Sequence, residues 1–323
     1  MEIRKMAEIT LALVKELRER TQAGMSDCKS ALVEAEGDLE KAIEVIQKKG
    51  LLKGQARAGK VATEGEVRTW VEGDGKRGII VEVNCQTDFV ARGDEFRNFV
   101  GKVVDLAQSA SRPTATDAAS LLATKVPGSD ETLDTVRLAL VGKTGENTVV
   151  RRWDVLKAGS DNELVLAYVH MGGKLAVLVR AEAPNAAGRN SADFKQFIEN
   201  VAMQIAAMSP LVVRKEEISD AQVAKQKEIY EAQLREEPKP KPEAAWPKII
   251  EGKVAKWYTE VTLLGQDNVW APEKGTIDAV RAEVGKALGG EVKVHEFVRF
   301  ALGEGIEKKT DDLAAEVAKM TAG

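Results

Sequence analysis

Two stretches of this chain repeat one another at a constant offset of 98 residues (173 − 75 and 194 − 96). The turn Gly75-Lys76 recurs as Gly173-Lys174, with apolar, β-branched runs around each turn. The helix that follows keeps its apolar stripe, which reads Phe96, Phe99, Val100 and Val103 in one copy and Phe194, Phe197, Ile198 and Val201 in the other. These patterns indicate strand, turn, strand and helix. The shared residues are those that a sheet packed on a helix must bury, so the chain has to build one α/β unit twice.

The repeat sets the predicted domain boundaries of an α+β protein. The first core subdomain covers residues 61–157, and the second covers 158–209 and 265–305, where the later helix and strand match the first copy only with small gaps. An insertion, residues 210–264, separates the two parts of the second copy. Its two helix-forming stretches flank Pro238 to Pro242, which predicts an antiparallel helical hairpin. A solvated spacer and an arm that docks on a partner are both compatible with this pattern.

Helical segments flank the duplicated core. Residues 1–60 predict a three-helix bundle that ends at Gly50, followed by a mobile basic linker with Lys53, Arg57 and Lys60. Arg18 and Met25 flank the first turn of the bundle and could form a binding face, although a methionine there more often fills the core. Residues 306–323 predict an amphipathic helix that packs on its own core or enters a groove of another protein.

The string Asn84-Cys85-Gln86-Thr87-Asp88-Phe89-Val90-Ala91 follows a buried strand and precedes a helix. Thr87 or Asp88 could cap that helix while Phe89 packs as a hydrophobic staple. Alternatively, the acid and the ring are displayed to a partner. The second copy has Asn185, Ala186 and Ala187 at the positions of Thr87, Asp88 and Phe89, so the architecture does not require this pair. That comparison favours a functional role.

The sequence offers little support for an enzyme or a nucleotide-binding site. Gly142-Lys143-Thr144 lacks the glycine that a phosphate-binding loop needs five positions earlier, where Arg137 stands. Only His170 and His295 are available as histidines, and no cluster has metal-ligand spacing, so we expect no catalytic residue, metal or cofactor. Cys28 and Cys85 are expected to be free thiols.

Composition and charge further restrict the class of protein. The 323 residues are 44% hydrophobic and 30% charged, with a net charge of −4, so no global charge favours nucleic acid. The chain has no long apolar run and no cleavable leader, and we therefore expect a soluble, cytoplasmic protein with no membrane partner. Met1 to Lys5 resemble an extension ahead of a start at Met6.

With these motifs in view, the chain resembles the elongation factor Ts family, the nucleotide-exchange factors of elongation factor Tu in translation. Besides the string from Glu82 to Ala91, the matching motifs are Glu16-Leu17-Arg18-Glu19-Arg20-Thr21, Gly24-Met25-Ser26-Asp27-Cys28-Lys29, Gly37-Asp38, Gly145-Glu146-Asn147, Arg151-Arg152, Tyr168 with His170, and Gly303-Glu304-Gly305-Ile306-Glu307-Lys308. Two places depart from the family pattern. Ser26 stands where a second methionine often follows Met25, and the insertion has an unusual proline-rich tip.

The resemblance implies a UBA-like bundle, a duplicated core, an inserted coiled coil and a C-terminal helical module. It also implies a partner, elongation factor Tu in its GDP-bound or nucleotide-free form, with a two-to-two complex with a second copy as one further arrangement. Arg18 and Met25 would grip the nucleotide-binding domain of that partner, and His170 would hold another domain. Asp88 and Phe89, with Thr87 and Val90 beside them, would insert near its magnesium site.

The resemblance therefore implies that the chain promotes GDP release by binding its partner, with no covalent chemistry and no nucleotide site of its own. The competing hypothesis is a ribosome- or RNA-associated assembly protein without exchange activity, which would use the basic linker and the arm.

Overall fold

The computed structural model describes residues 9–21, 23–57, 59–111, 118–237 and 242–307. The chain forms two compact units. Unit 1 consists of Met1–Val67, Val81–Trp153 and Leu302–Gly323, and unit 2 consists of Arg68–Ile80 and Asp154–Ala301.

Unit 1 begins with the helical bundle, made of α1 (Leu11–Thr21), α2 (Met25–Glu34) and α3 (Leu39–Arg57). Val14 and Leu17 of α1 pack against Cys28 and Leu32 of α2 in a small apolar core. The free thiols predicted at Cys28 and Cys85 are confirmed, and both are buried.

The first copy follows the bundle. Its elements are β1 (Glu64–Val71), β2 (Arg77–Cys85), α4 (Asp88–Arg92), α5 (Asp94–Ser109), α6 (Ala119–Leu122), α7 (Leu133–Thr144) and β3 (Thr148–Lys157), with the sheet in the order β1-β2-β3. On α5, the stripe that includes Phe96, Phe99 and Val100 is buried, as the helical spacing predicts. The tip of the β1–β2 hairpin, Arg68–Ile80, belongs to unit 2.

The predicted end of the bundle at Gly50 is wrong, because α3 continues to Arg57 through most of the predicted linker. A Cβ atom placed on Gly142 of α7 would lie 2.7 Å from the Cα atom of Gly50. The two helices therefore meet backbone to backbone at this pair of glycines. Packing against α7 stabilises the continued helix, whereas propensity alone would favour its ending at Gly50.

Unit 2 contains the second copy and the insertion. Its elements are β4 (Glu163–His170), β5 (Leu175–Glu182), α8 (Ala186–Asn190), α9 (Ala192–Met208), α10 (Asp220–Glu236), α11 (Trp246–Val261), α12 (Ile277–Ala287) and β6 (Lys293–Ala301). The strands form an antiparallel sheet in the order β4-β5-β6. Phe194, Phe197 and Ile198 of α9 lie in a core that also contains Val177 and Val179 of β5.

Corresponding elements of the two copies use the same local interactions. β2 and β5, α4 and α8, and α5 and α9 each begin 98 residues apart (175 − 77, 186 − 88, 192 − 94). The side chains of Thr132 and Thr276 cap α7 and α12, two residues before the aspartates of the ion pairs Asp134–Arg137 and Asp278–Arg281. The fold is α+β, as predicted, while the predicted domain boundaries stay predictions.

The insertion contributes α10 and α11, which contact each other. The predicted proline turn lies mostly outside the described residues, which do not include 238–241. The predicted tail helix also lies outside them, apart from its first two residues, because the described residues end at Glu307. Among the helices that the structure describes, none combines the length and apolar character needed to cross a membrane.

Candidate partner-binding site

The strand-to-helix corner after β2 displays an aromatic ring to solvent. Thr87 is the N-cap of α4, and its hydroxyl accepts a hydrogen bond from the Val90 amide. Phe89, in the first turn of this five-residue helix, is 84% exposed. The interpretation of Phe89 as a packed hydrophobic staple is therefore wrong. Exposure on this scale is unusual for a phenylalanine, and it leaves the ring available to a partner.

Asp88 lies beside the ring at the start of α4. Its side chain is 44% exposed, and its carboxylate forms an ion pair with Arg92 one turn later, at 2.9 Å. Val90 is half-buried. Phe89 is thus the exposed member of the predicted corner set, with the partly exposed Asp88 carboxylate beside it.

Thr87 is half-buried, and its polar atoms point back into the protein. Its hydroxyl donates to Oε1 of Glu146 at 2.7 Å, and its amide donates to Oε2 of the same carboxylate at 2.9 Å. Sequence reasoning included Thr87 among the partner-contacting residues and gave Glu146 no role. The 59 positions between them explain the omission, since no local pattern connects residues so far apart.

A buried glutamate lies behind the corner on β2. Glu82 is fully buried and accepts hydrogen bonds from Arg151 and Arg152 of β3 and from the Gly303 amide. Arg151 also donates to the Glu304 carbonyl. This network fixes the strand that leads into the corner to the segment that follows β6. Two arginines compensate for the cost of burying the carboxylate.

Two further predicted residues lie on the bundle. Arg18 of α1 is exposed, whereas Met25 of α2 is half-buried and packs against the bundle core. Met25 therefore contributes to packing within the bundle, and Arg18 is the more accessible of the two.

His170, the last predicted residue, belongs to unit 2 and is exposed at the end of β4. Its Nδ1 atom lies 2.9 Å from the Tyr168 hydroxyl, and the two rings are stacked with centroids 5.9 Å apart. Met171, which follows in the turn, is 73% exposed, and Val169 is also exposed. Sequence reasoning named His170 and missed these apolar neighbours. The sequence did contain a signal for them, because two large apolar residues flank His170 next to a glycine turn.

One cluster in unit 2 has the donor atoms of a metal site. Glu163, Glu182 and His295 place three donor atoms within 4.8 Å of one another, although the sequence had shown no ligand spacing. Both carboxylates already form ion pairs with basic side chains of the protein. Arg180 lies 2.6 Å from Glu163, and Lys293 lies 3.6 Å from Glu182.

The pKa of Glu163 reflects this environment. Burial acts to raise it, but the Gly159 amide and the Arg180 guanidinium outweigh burial and hold the pKa below its ordinary value. Since Arg180 of β5 also pairs with Glu296 of β6, the cluster is best described as an ion-pair network that joins three strands.

The fold and the corner together define a class: a repeated α+β protein in which one copy alone displays an aromatic ring beside an acid. Comparison with known proteins identifies the family. Residues 86–304 match the family model described as Elongation factor TS. The elongation factor Ts of Clostridium perfringens (strain SM101) is 43% identical over 312 residues, covering 97% of this chain and 99% of the relative.

Two further relatives agree. The elongation factor Ts of Nautilia profundicola is 42% identical over 313 residues, covering 97% of this chain and 99% of the relative. That of Clostridium kluyveri is 42% identical over 317 residues, with 98% and 99% covered. The chain therefore belongs to the elongation factor Ts family, and its role is that of a translation elongation factor.

Proposed function

We propose that this protein is a guanine-nucleotide exchange factor that binds elongation factor Tu and promotes GDP release by inserting Asp88 and Phe89 near the partner's magnesium and nucleotide site. The observation that carries the proposal is the exposed Phe89 ring at a corner whose counterpart in the second copy is Ala187. Family membership supports the choice of elongation factor Tu as the partner.

The chemistry of the corner suits an inserted group. Burying a phenylalanine side chain contributes about 1.5–3 kcal/mol, so the partner gains that free energy only in a conformation that opens to accept the ring. Magnesium demands near-ideal octahedral geometry, and a small displacement of its supporting elements weakens its hold on the phosphates. Asp88 would supply a hydrogen-bond acceptor beside the ring.

Exchange then follows from differential affinity. The factor binds best to the conformation of elongation factor Tu that holds GDP poorly, and this preference shifts the equilibrium toward GDP release. His170, on the other unit, would anchor a second domain of the partner, and Arg18 would contact its nucleotide-binding domain. No bond is made or broken.

The test is release of a fluorescent GDP analogue, mantGDP, from elongation factor Tu. Because the burial of a phenylalanine is lost, Phe89→Ala should slow factor-stimulated release by about tenfold to 100-fold, and Phe89→Ala with Asp88→Ala should slow it further. Leu211→Ala removes another exposed apolar side chain, in unit 2, and serves as the matched control. Undiminished release with the double variant would refute the insertion.

A further inference from the structure

The corner carries its exposed groups on a helix too short to hold its own orientation. α4 has five residues, whereas isolated helices in water need about 12–15 residues to be even marginally stable. Whatever fixes the first turn of α4 therefore also fixes the direction in which Phe89 points. In this structure the first turn is fixed by Thr87 and by the side chain that Thr87 contacts.

Glu146 contacts Thr87 through both of its carboxylate oxygens. A carboxylate only accepts hydrogen bonds, so the Thr87 hydroxyl must donate its single proton to Glu146. The lone pairs of the hydroxyl then remain free to accept the Val90 amide and cap α4. Glu146 thus sets the hydroxyl orientation that the cap requires, and it binds the Thr87 amide as well.

Glu146 is itself held in place by the end of α7. Gly145 ends that helix in the left-handed conformation, with φ of 76°, and its amide bonds to the Val141 carbonyl. The Glu146 amide donates to the Thr144 hydroxyl at 3.3 Å. The next residue, Asn147, donates its amide to the Gln86 side chain at 2.8 Å. Two consecutive residues, Glu146 and Asn147, therefore hold the two consecutive residues that precede α4, Thr87 and Gln86.

Among the described residues of the second copy, no carboxylate takes this place beside the corresponding cap. Asn185, at the position of Thr87, caps α8 with its own side chain, which accepts from the Gly188 amide at 2.8 Å. At the offset of 144 residues that relates Thr132 to Thr276, Glu146 corresponds to Gly290, which has no carboxylate. The neighbouring acid, Glu291, lies 3.5 Å from Arg281 in an ion pair. The two hydrogen bonds from Thr87 to the Glu146 carboxylate, here called the carboxylate clamp, occur on the copy that displays an aromatic ring. General requirements of the architecture therefore do not explain this clamp.

We propose that Glu146 is a positioning residue for exchange, which holds Asp88 and Phe89 in the orientation that enters the partner. This inference rests on the proposed function of the corner. Glu146 acts through Thr87 and does not touch the partner. Groups placed by a rigid supporting shell lose efficiency when that shell is removed, even though the groups themselves remain.

The experiment measures mantGDP release from elongation factor Tu as a function of factor concentration. Glu146→Ala should lower the maximal release rate by about tenfold, because the ring no longer enters in one preferred orientation. Glu146→Gln keeps one acceptor for the Thr87 amide and should give an intermediate rate. Glu291→Ala removes the glutamate next to the corresponding position in the second copy; it is the control and should release GDP at the unmodified rate.

A double-variant cycle separates positioning from general damage. If Glu146 acts through the ring, adding Glu146→Ala to Phe89→Ala should slow release by less than about twofold more. Circular dichroism and urea unfolding of each variant report whether the fold is intact. Full additivity of the two substitutions, or unmodified release with Glu146→Ala, overturns the positioning role. If Phe89→Ala alone has no effect, the proposed function fails as well, and the two failures are thereby distinguished.

Discussion

At the scale of single residues, the most consequential side chains are buried or half-buried acids whose partners are distant in sequence. Glu82 is held by Arg151 and Arg152, and Glu163 is held by Arg180. Each of these acids ties strands together. A buried acid whose cationic partner is removed costs more free energy than an exposed pair contributes, so these positions are sensitive to substitution.

Glu163 yields a prediction with a defined pH dependence. Its pKa is lowered in the folded protein, so it binds protons less readily there than in the unfolded chain. Its contribution to the free energy of unfolding is therefore present above the ordinary glutamate range and is lost as the pH falls through the lowered folded-state pKa. Glu163→Gln should lower the free energy of unfolding at pH 7 by about 1–3 kcal/mol.

Urea unfolding at pH 7 and at a pH below the lowered value tests this prediction. The difference between the two proteins should shrink at the acidic pH, because the unmodified Glu163 is then neutral too. Asp130→Asn breaks the exposed pair with Lys125 and serves as the control, with an expected change within about 0.5 kcal/mol. A difference for Glu163→Gln that does not depend on pH would contradict the assignment.

At the scale of helices and strands, sequence patterns predict the strongly periodic elements well. The helices α5 and α9 form where their apolar stripes predict helices, because each stripe buries a continuous face of the helix. The predicted end of the helix at Gly50 was wrong. A glycine weakens an isolated helix, but Gly50 is the residue that allows the close approach of α3 to α7. The clamp between Glu146 and Thr87 could not be predicted, because it joins residues far apart in the chain.

The contact between α3 and α7 gives a second prediction about stability. Gly142→Ala would place a Cβ atom 2.7 Å from both the Cα atom and the carbonyl oxygen of Gly50, so the helices must separate. We expect a loss of about 1–3 kcal/mol of stability. GDP release from elongation factor Tu should slow as well, because α7 leads directly to Glu146 and the bundle carries Arg18.

Urea unfolding and mantGDP release measure the two effects. Gly252→Ala on α11 is the matched control, since a Cβ atom there meets nothing within 4 Å. It should raise stability by about 0.5–1 kcal/mol, as alanine does in a helix, and leave release unchanged. If both glycine variants stabilise the protein, the close helix contact is not present in solution.

At the scale of the whole molecule, the proposed contacts divide between the two units. The corner and the bundle belong to unit 1, while His170 with its exposed apolar neighbours belongs to unit 2. Two attachment points on one chain raise the overall affinity, because the second contact forms at a high effective concentration once the first is made. They also allow different roles, with one point anchoring the partner and the other changing its conformation.

These roles predict different effects on the coupling between the factor and GDP. Under the proposed function, the factor by which this protein weakens GDP binding must equal the factor by which GDP weakens binding of this protein. The Phe89 ring should make its full contact only when GDP is absent. Phe89→Ala should therefore weaken binding to nucleotide-free elongation factor Tu more than binding to the GDP form, and the coupling factor should fall by about tenfold.

His170→Ala should behave differently, because an anchor contributes equally in both nucleotide states. We expect it to weaken both complexes by a similar factor and to leave the coupling factor unchanged. Titration calorimetry of the two variants with nucleotide-free and with GDP-bound elongation factor Tu measures all four dissociation constants. Equal weakening of both complexes by Phe89→Ala would make the ring a second anchor, and the displacement of GDP would then have to originate at another part of the surface.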